Sequence, residues 1–153
     1  DRCYWAYLRL YVPEGAQLVD ASRHPIAAEF VANGQAWDGI ARVSEASEGA
    51  YTVFEQALLL PTASQAVVQF TYTLPDDVIR SDPDGTLIYQ LLWQKQAGLS
   101  TIPARVILRM PQNAVLCPSQ TLPSANDAGV VSFDIDLRVD NSLRICYQMP
   151  LEE

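Results

Sequence analysis

Alternation of apolar and polar residues restricts this chain to β structure along much of its length. From Val130 to Val139 the odd positions are Val131, Phe133, Ile135, Leu137 and Val139, while Ser132, Asp134, Asp136 and Arg138 between them are polar. A period of two gives a strand one buried and one solvated face; an amphipathic helix needs 3.6. The same pattern runs through Ala66, Val68, Phe70, Tyr72 and Leu74, through Leu87, Tyr89, Leu91 and Trp93, through Ala104, Val106, Leu108 and Met110, and through Leu143, Ile145 and Tyr147. Tyr4 to Val12 is aromatic and β-branched enough to form another strand.

Between these runs stand chain-reversing residues: Pro13-Glu14-Gly15, Leu60-Pro61, Leu74-Pro75-Asp76, Asp82-Pro83-Asp84-Gly85, Asp127-Ala128-Gly129 and Asp140-Asn141. Proline ends strands, and Asp, Asn and Gly supply turn conformations. Asp140-Asn141 separates two alternating runs so closely that a β-hairpin is expected there. The spacing predicts an all-β fold, an antiparallel β-sandwich of immunoglobulin-like or related type, with at least seven strands in two packed sheets. Helix is limited to a turn or two, the candidate being Ile26 to Val31. With 153 residues, 49% of them hydrophobic, the chain is expected to form a single domain over 1–153. The predicted core is Leu8, Leu10, Val68, Phe70, Tyr72, Leu91, Val106, Leu108, Phe133, Ile135, Leu137 and Ile145.

Charge narrows the partners. Ten Lys and Arg against eighteen Asp and Glu leave −8, which repels phosphate backbones and argues against nucleic acid. The longest apolar stretches, Ala57 to Leu60 and Leu91 to Trp93, fall far short of the roughly 20 residues that span a bilayer. The first residues, Asp1-Arg2-Cys3, carry no basic head and apolar run of a cleavable signal.

Three segments carry a family likeness. Tyr7-Leu8-Arg9-Leu10-Tyr11-Val12-Pro13-Glu14-Gly15-Ala16 resembles the tyrosine-rich strand of bacterial envelope proteins grouped as domain of unknown function 4012. Tyr72-Thr73-Leu74-Pro75 resembles that family's strand-ending motif. Leu91-Leu92-Trp93-Gln94-Lys95-Gln96-Ala97-Gly98 is similar to its third segment, with Ala97 where the pattern has Pro and a looser turn after Gln96 expected. The resemblance covers about residues 4 to 110. It implies an extracytoplasmic, C-terminal β segment of a membrane-anchored cell-envelope protein whose anchor lies upstream. It brings no activity and no catalytic or ligand residues.

The residues themselves offer few candidates for chemistry. His24 is the one histidine, so any Ser-His-Asp arrangement must use it; its context Ser22-Arg23-His24-Pro25 is loop-like, and no nucleophile elbow exists. Asp134 and Asp136 project from one strand face about 7 Å apart, a separation compatible with glycoside hydrolysis, yet polar alternation alone produces the pair. Asp76, Asp77, Asp82 and Asp84 gather hard oxygens suited to calcium, although Asp-rich turns arise for backbone reasons as well. Trp37, flanked by Gln35 and Asp38 within Gly34–Gly39, is a ring that stacks on a sugar or folds back over the end of the sandwich. Arg9, Arg105, Arg109, Arg138 and Arg144 fall within strand runs, too dispersed for an anion site. Phosphate-binding glycine loops are absent, as is zinc-type ligand spacing, and no cofactor is expected.

Cys3, Cys117 and Cys146 allow one bridge and leave one thiol over. In an exported protein the favoured pair is Cys117 with Cys146; a Cys3 bridge and no bridge are the alternatives. Since Ile145 and Tyr147 are expected to face the core, Cys146 turns outward, so the bridge must clamp a covering segment. The expected function is a non-catalytic structural or interaction module of the cell surface, its partner an envelope polysaccharide or another surface protein. The alternative is a carbohydrate-binding module using Trp37 and Asp38.

Overall fold

Wherever alternation is sustained, the chain is extended. The computed structural model describes residues 3–45, 48–95, 98, 100–118, 123–127 and 129–150. Among them are twelve strands in antiparallel pairs: β1 (Cys3–Pro13), β2 (Gln17–Ala21), β3 (Arg42–Val43), β4 (Tyr51–Pro61), β5 (Phe70–Thr73), β6 (Ile79–Ser81), β7 (Leu87–Trp93), β8 (Ile102–Arg109), β9 (Val115–Leu116), β10 (Ala125–Asp127), β11 (Val130–Leu137) and β12 (Asn141–Gln148). Helix among the described residues is confined to two 3-10 turns, Ala28–Phe30 and Asp76–Val78. The fold is all-β, antiparallel and sandwich-like. Its strands form four sheets where two were expected, in the orders β1-β4-β3, β2-β5, β10-β11-β8 and β6-β7-β12-β9.

A single domain was expected over the whole chain; contacts divide it into two compact units, Asp1–Asp76 and Asp77–Glu153. In the first, β1 and β4 pair over their full length, from Cys3 opposite Pro61 to Pro13 opposite Tyr51. Directly opposed residues share a face. The even-numbered face of this pair carries Leu10, Val12 and Phe54, which with Ala16 form a core closed by Leu18, Phe70, Tyr72 and Leu74. Phe54 is fully buried, its ring 5.5 Å from that of Tyr72 and 6.4 Å from that of Phe70. β4 is absent from the expectation, because Val53, Phe54, Gln56 and Leu58 are all buried and the segment does not alternate. Leu8, assigned to the core, is 37% exposed. The packed side chains of β1 are Leu10 and Val12, and the strands of the sheet that supplies their partners are only 5 and 4 residues long.

In the second unit Val106, Val131 and Phe133 from the β8–β11 sheet meet Leu143 and Ile145 from β12, with Tyr89, Leu91, Trp93, Leu108, Met110 and Leu116 around them. The Asp140-Asn141 hairpin is therefore a correction. β11 pairs with β8 and β10, β12 pairs with β7 and β9, and the short connection crosses between sheets. Both strands bury their apolar faces in one core, reached from two different sheets. Alternation also ends sooner than read: Arg138 lies just past β11, Val139 is 72% exposed, and residues 66–69 precede β5. Cys117 and Cys146 form a disulfide with Cα atoms 5.3 Å apart. Cys117 follows the edge strand β9, and its N–H donates to the Cys146 carbonyl at 3.0 Å, so the bridge joins direct cross-strand neighbours. Cys3 is a half-buried free thiol. Gln96 and Ala97 lie outside the described residues.

Candidate functional site: an aromatic and ionic sheet face

On the odd-numbered face of β1 and β4, Val53 is buried, but the side chains of β1 are not. Trp5, Tyr7, Arg9 and Tyr11 on β1 lie opposite Leu59, Ala57, Glu55 and Val53, and Tyr51 joins them one step along. Trp5 is 51% exposed, Tyr7 60%, Tyr11 47% and Tyr51 53%, so four large rings stand open to solvent within one patch. That is more aromatic surface than scattered exposed residues leave by chance.

Hydrogen bonds fix this face. The Tyr7 hydroxyl donates to Glu55 Oε2 at 2.7 Å, and Arg9 Nε donates to Glu55 Oε1 at 3.1 Å. The same guanidinium pairs with Glu48, whose Oε2 accepts the Tyr11 hydroxyl at 2.8 Å. Arg9 lies 5.3 Å from the Tyr11 ring centroid, and Tyr11 meets Tyr51 edge-to-face at 6.1 Å. The arrangement shifts protonation in one consistent sense. Arg9, then Tyr11, holds the Glu48 carboxyl below the usual range. Tyr7, then Ser44 and Arg9, does so for Glu55. The two phenols rise, Tyr7 through its bond to Glu55 and Tyr11 through its bond to Glu48, because each hydrogen bond needs a protonated phenol and an ionised carboxylate.

The face continues across β4 to β3, where Arg42 lies opposite Glu55. Arg42 stacks 4.5 Å from the Trp37 ring centroid and lies 3.6 Å from Asp38. Trp37 and Asp38 therefore belong beside this patch, although the geometry differs from a free loop tryptophan. One ring face is taken by Arg42, the backbone bridges to Ile26 in both directions, and Nε1 is buried without a hydrogen-bond partner among the described residues. Asp38 Oδ1 accepts the Ile40 N–H at 3.0 Å, an Asx turn. Gln35 N–H bonds Asn33 Oδ1 at 3.0 Å.

His24 Nε2 lies 3.0 Å from Ser22 Oγ, yet that oxygen also accepts the Gln69 N–H at 2.9 Å, and Ser22 N–H returns a bond to Gln69 O. The serine thus extends the β2–β5 ladder by one step. No carboxylate bonds His24 among the described residues. Behind it, the buried Gln56 side chain donates from Nε2 to Ser22 O at 2.7 Å and to Gly39 O at 2.9 Å. Asp134 pairs with Arg105 directly across β8, which holds its carboxyl below the usual range; Asp136, on the same exposed face, lies opposite Pro103. Asp84 accepts the Thr86 N–H at 3.0 Å inside the β6–β7 turn, which lowers its pKa. Among the described residues, Asp76, Asp77, Asp82 and Asp84 included, no three His, Cys, Asp or Glu converge as metal ligands.

No helix among the described residues is long and apolar enough to cross a membrane. Comparison with family models, with curated proteins and with solved structures finds no match to this chain.

Proposed function

We propose that this chain is a non-catalytic contact module of a bacterial cell-surface protein, carried outside the cytoplasm by an anchor elsewhere in the full-length protein. The observation that carries the reading is the β1–β4 face. Four aromatic rings are between 47% and 60% exposed, and two of them, Tyr7 and Tyr11, are held by hydrogen bonds to carboxylates that also pair with Arg9. A surface that only had to be soluble would cover such rings or replace them with charge; a contact surface keeps them open and rigid. The resemblance of Tyr7 to Ala16 to an envelope family supports the location, and the strand holding those residues is the one that presents the rings. The engagement of Ser22, Asp84 and Asp134 in a ladder, a turn and a surface ion pair supports the non-catalytic part of the reading.

Sedimentation with isolated cell envelopes tests the reading. The protein is expected to co-sediment, and Tyr7→Ala combined with Tyr11→Ala to remain in the supernatant while keeping the wild-type circular dichroism. Fractionation of cells expressing the full-length protein should recover it with the envelope. Recovery in the cytosol would remove the reading.

A further inference from the structure

We propose that the odd-numbered face of β1 is a stacking platform for a neutral polysaccharide, with Trp5 and Tyr7 receiving sugar rings and Glu48 and Glu55 accepting sugar hydroxyls. This rests on the contact-module reading and gives it a partner class. A pyranose presents a face of C–H groups with hydroxyls around its rim. The face suits the electron-rich surface of an aromatic ring, and the rim suits carboxylate acceptors beside it. Trp5 and Tyr7 are two residues apart on one strand, which separates them by about 7 Å. Trp5 to Tyr11 covers roughly 20 Å by the same rise, a row long enough for several sugar units of an extended chain.

The face is organised before anything binds. Tyr7 is tied to Glu55 and Tyr11 to Glu48 through their hydroxyls, and Tyr51 props Tyr11 at its edge. Tyrosine and tryptophan already lose little side-chain entropy on binding, and these ties reduce the loss further. Each carboxylate oxygen keeps acceptor capacity beyond its bond to Tyr or Arg9.

Charge selects among polymers. Glu48 and Glu55 flank Arg9, Arg42 beside them pairs with Asp38, and the chain as a whole carries −8, so phosphate- or uronate-rich chains are repelled. A second copy of the chain would bring the same paired carboxylates onto this face, an unfavourable juxtaposition of like charges. A neutral, hydroxyl-rich chain meets neither obstacle. Trp37 is not the platform, because Arg42 covers one of its ring faces.

Native affinity electrophoresis tests this, each gel holding one soluble polymer: hydroxyethylcellulose, laminarin, xylan, mannan or dextran as neutral probes, polygalacturonate or heparin as anionic ones. Retardation is expected with at least one neutral polymer and with neither anionic one. Trp5→Ala and Tyr7→Ala should each weaken it on the order of tenfold, and Trp37→Ala should leave it unchanged. No retardation with any neutral polymer, retardation by the anionic ones alone, or Trp5 and Tyr7 variants retarded as strongly as wild type overturns the proposal. Envelope sedimentation run beside it separates the two readings. Binding that depends on Tyr7 and Tyr11, survives periodate oxidation of the envelopes and disappears after protease treatment keeps the contact module and overturns the polysaccharide. Loss of envelope binding altogether removes the module reading itself.

Discussion

Gly39 shows how tightly single positions are specified. Its φ is +72°, and a Cβ built there would lie 2.3 Å from the His24 carbonyl carbon and the Pro25 nitrogen. Gly39→Ala should therefore cost more than the about 1–3 kcal/mol of a left-handed non-glycine residue alone, because backbone has to move as well. Urea denaturation measures this, and a midpoint equal to wild type would contradict the packing. Gln56 is the second such position. It is 1% exposed, and Gln56→Leu would remove the donor that its amide gives the Ser22 carbonyl, while the Gly39 carbonyl would keep the His24 N–H. At about 1–3 kcal/mol for one unsatisfied group, the loss should be of that order, whereas Gln69→Ala, which keeps the backbone N–H that bonds Ser22, should be close to neutral. Equal effects would show that the side chain of Gln56 is not the tie.

At the scale of strands, register is open to a direct test. Phe133→Ala in β11 should cost about 3–5 kcal/mol through the cavity it leaves, while Asp134→Ala, which removes an exposed ion pair, should leave stability nearly unchanged. Similar losses at both positions would mean a register displaced by one residue. The bridge between β9 and β12 closes a loop of 29 residues, so Cys117→Ser with Cys146→Ser should lower stability by roughly 3–4 kcal/mol in the chain-entropy account. β11 and β12 were legible because each has one wet face. β4 was not: it lies between β1 and β3 and buries residues of both parities, so no period survives, and its Gln56 reads as a solvent position although its Nε2 bonds two carbonyls in the interior. The ring-bearing face of β1 was only half legible. Both parities of that strand are apolar or aromatic, and Arg9 alone marks the wet side. Its partners Glu48 and Glu55 stand 39 and 46 residues away, and nothing local announces that they meet.

For the whole molecule, the shifted groups set the shape of the stability–pH curve. Glu48, Glu55, Asp84 and Asp134 have carboxyl pKa values below their ordinary ones. Their contribution is complete above the unfolded-state values of about 4 and disappears as pH falls through the lower folded-state values. Tyr7 and Tyr11 are raised, so theirs is complete below about 10 and is lost as pH rises through the folded-state values. Glu48→Gln with Glu55→Gln should flatten the wild-type curve at both ends when urea midpoints are plotted against pH. A variant curve parallel to wild type in acid would exclude these carboxylates as the source.

The partition into units has a consequence for synthesis. Every residue of the Phe54 core has been made once Leu74 has left the ribosome, since its members run from Leu10 to Leu74. The Phe133 core waits for Leu143 and Ile145, which arrive some seventy residues later. At the roughly 5–20 residues per second of translation, the first set of strands has several seconds in which to pack before the second set is complete. A ribosome halted near residue 115, with about forty residues of linker beyond it, should hold a nascent chain in which Phe54 is shielded from protease and Ile88 is not.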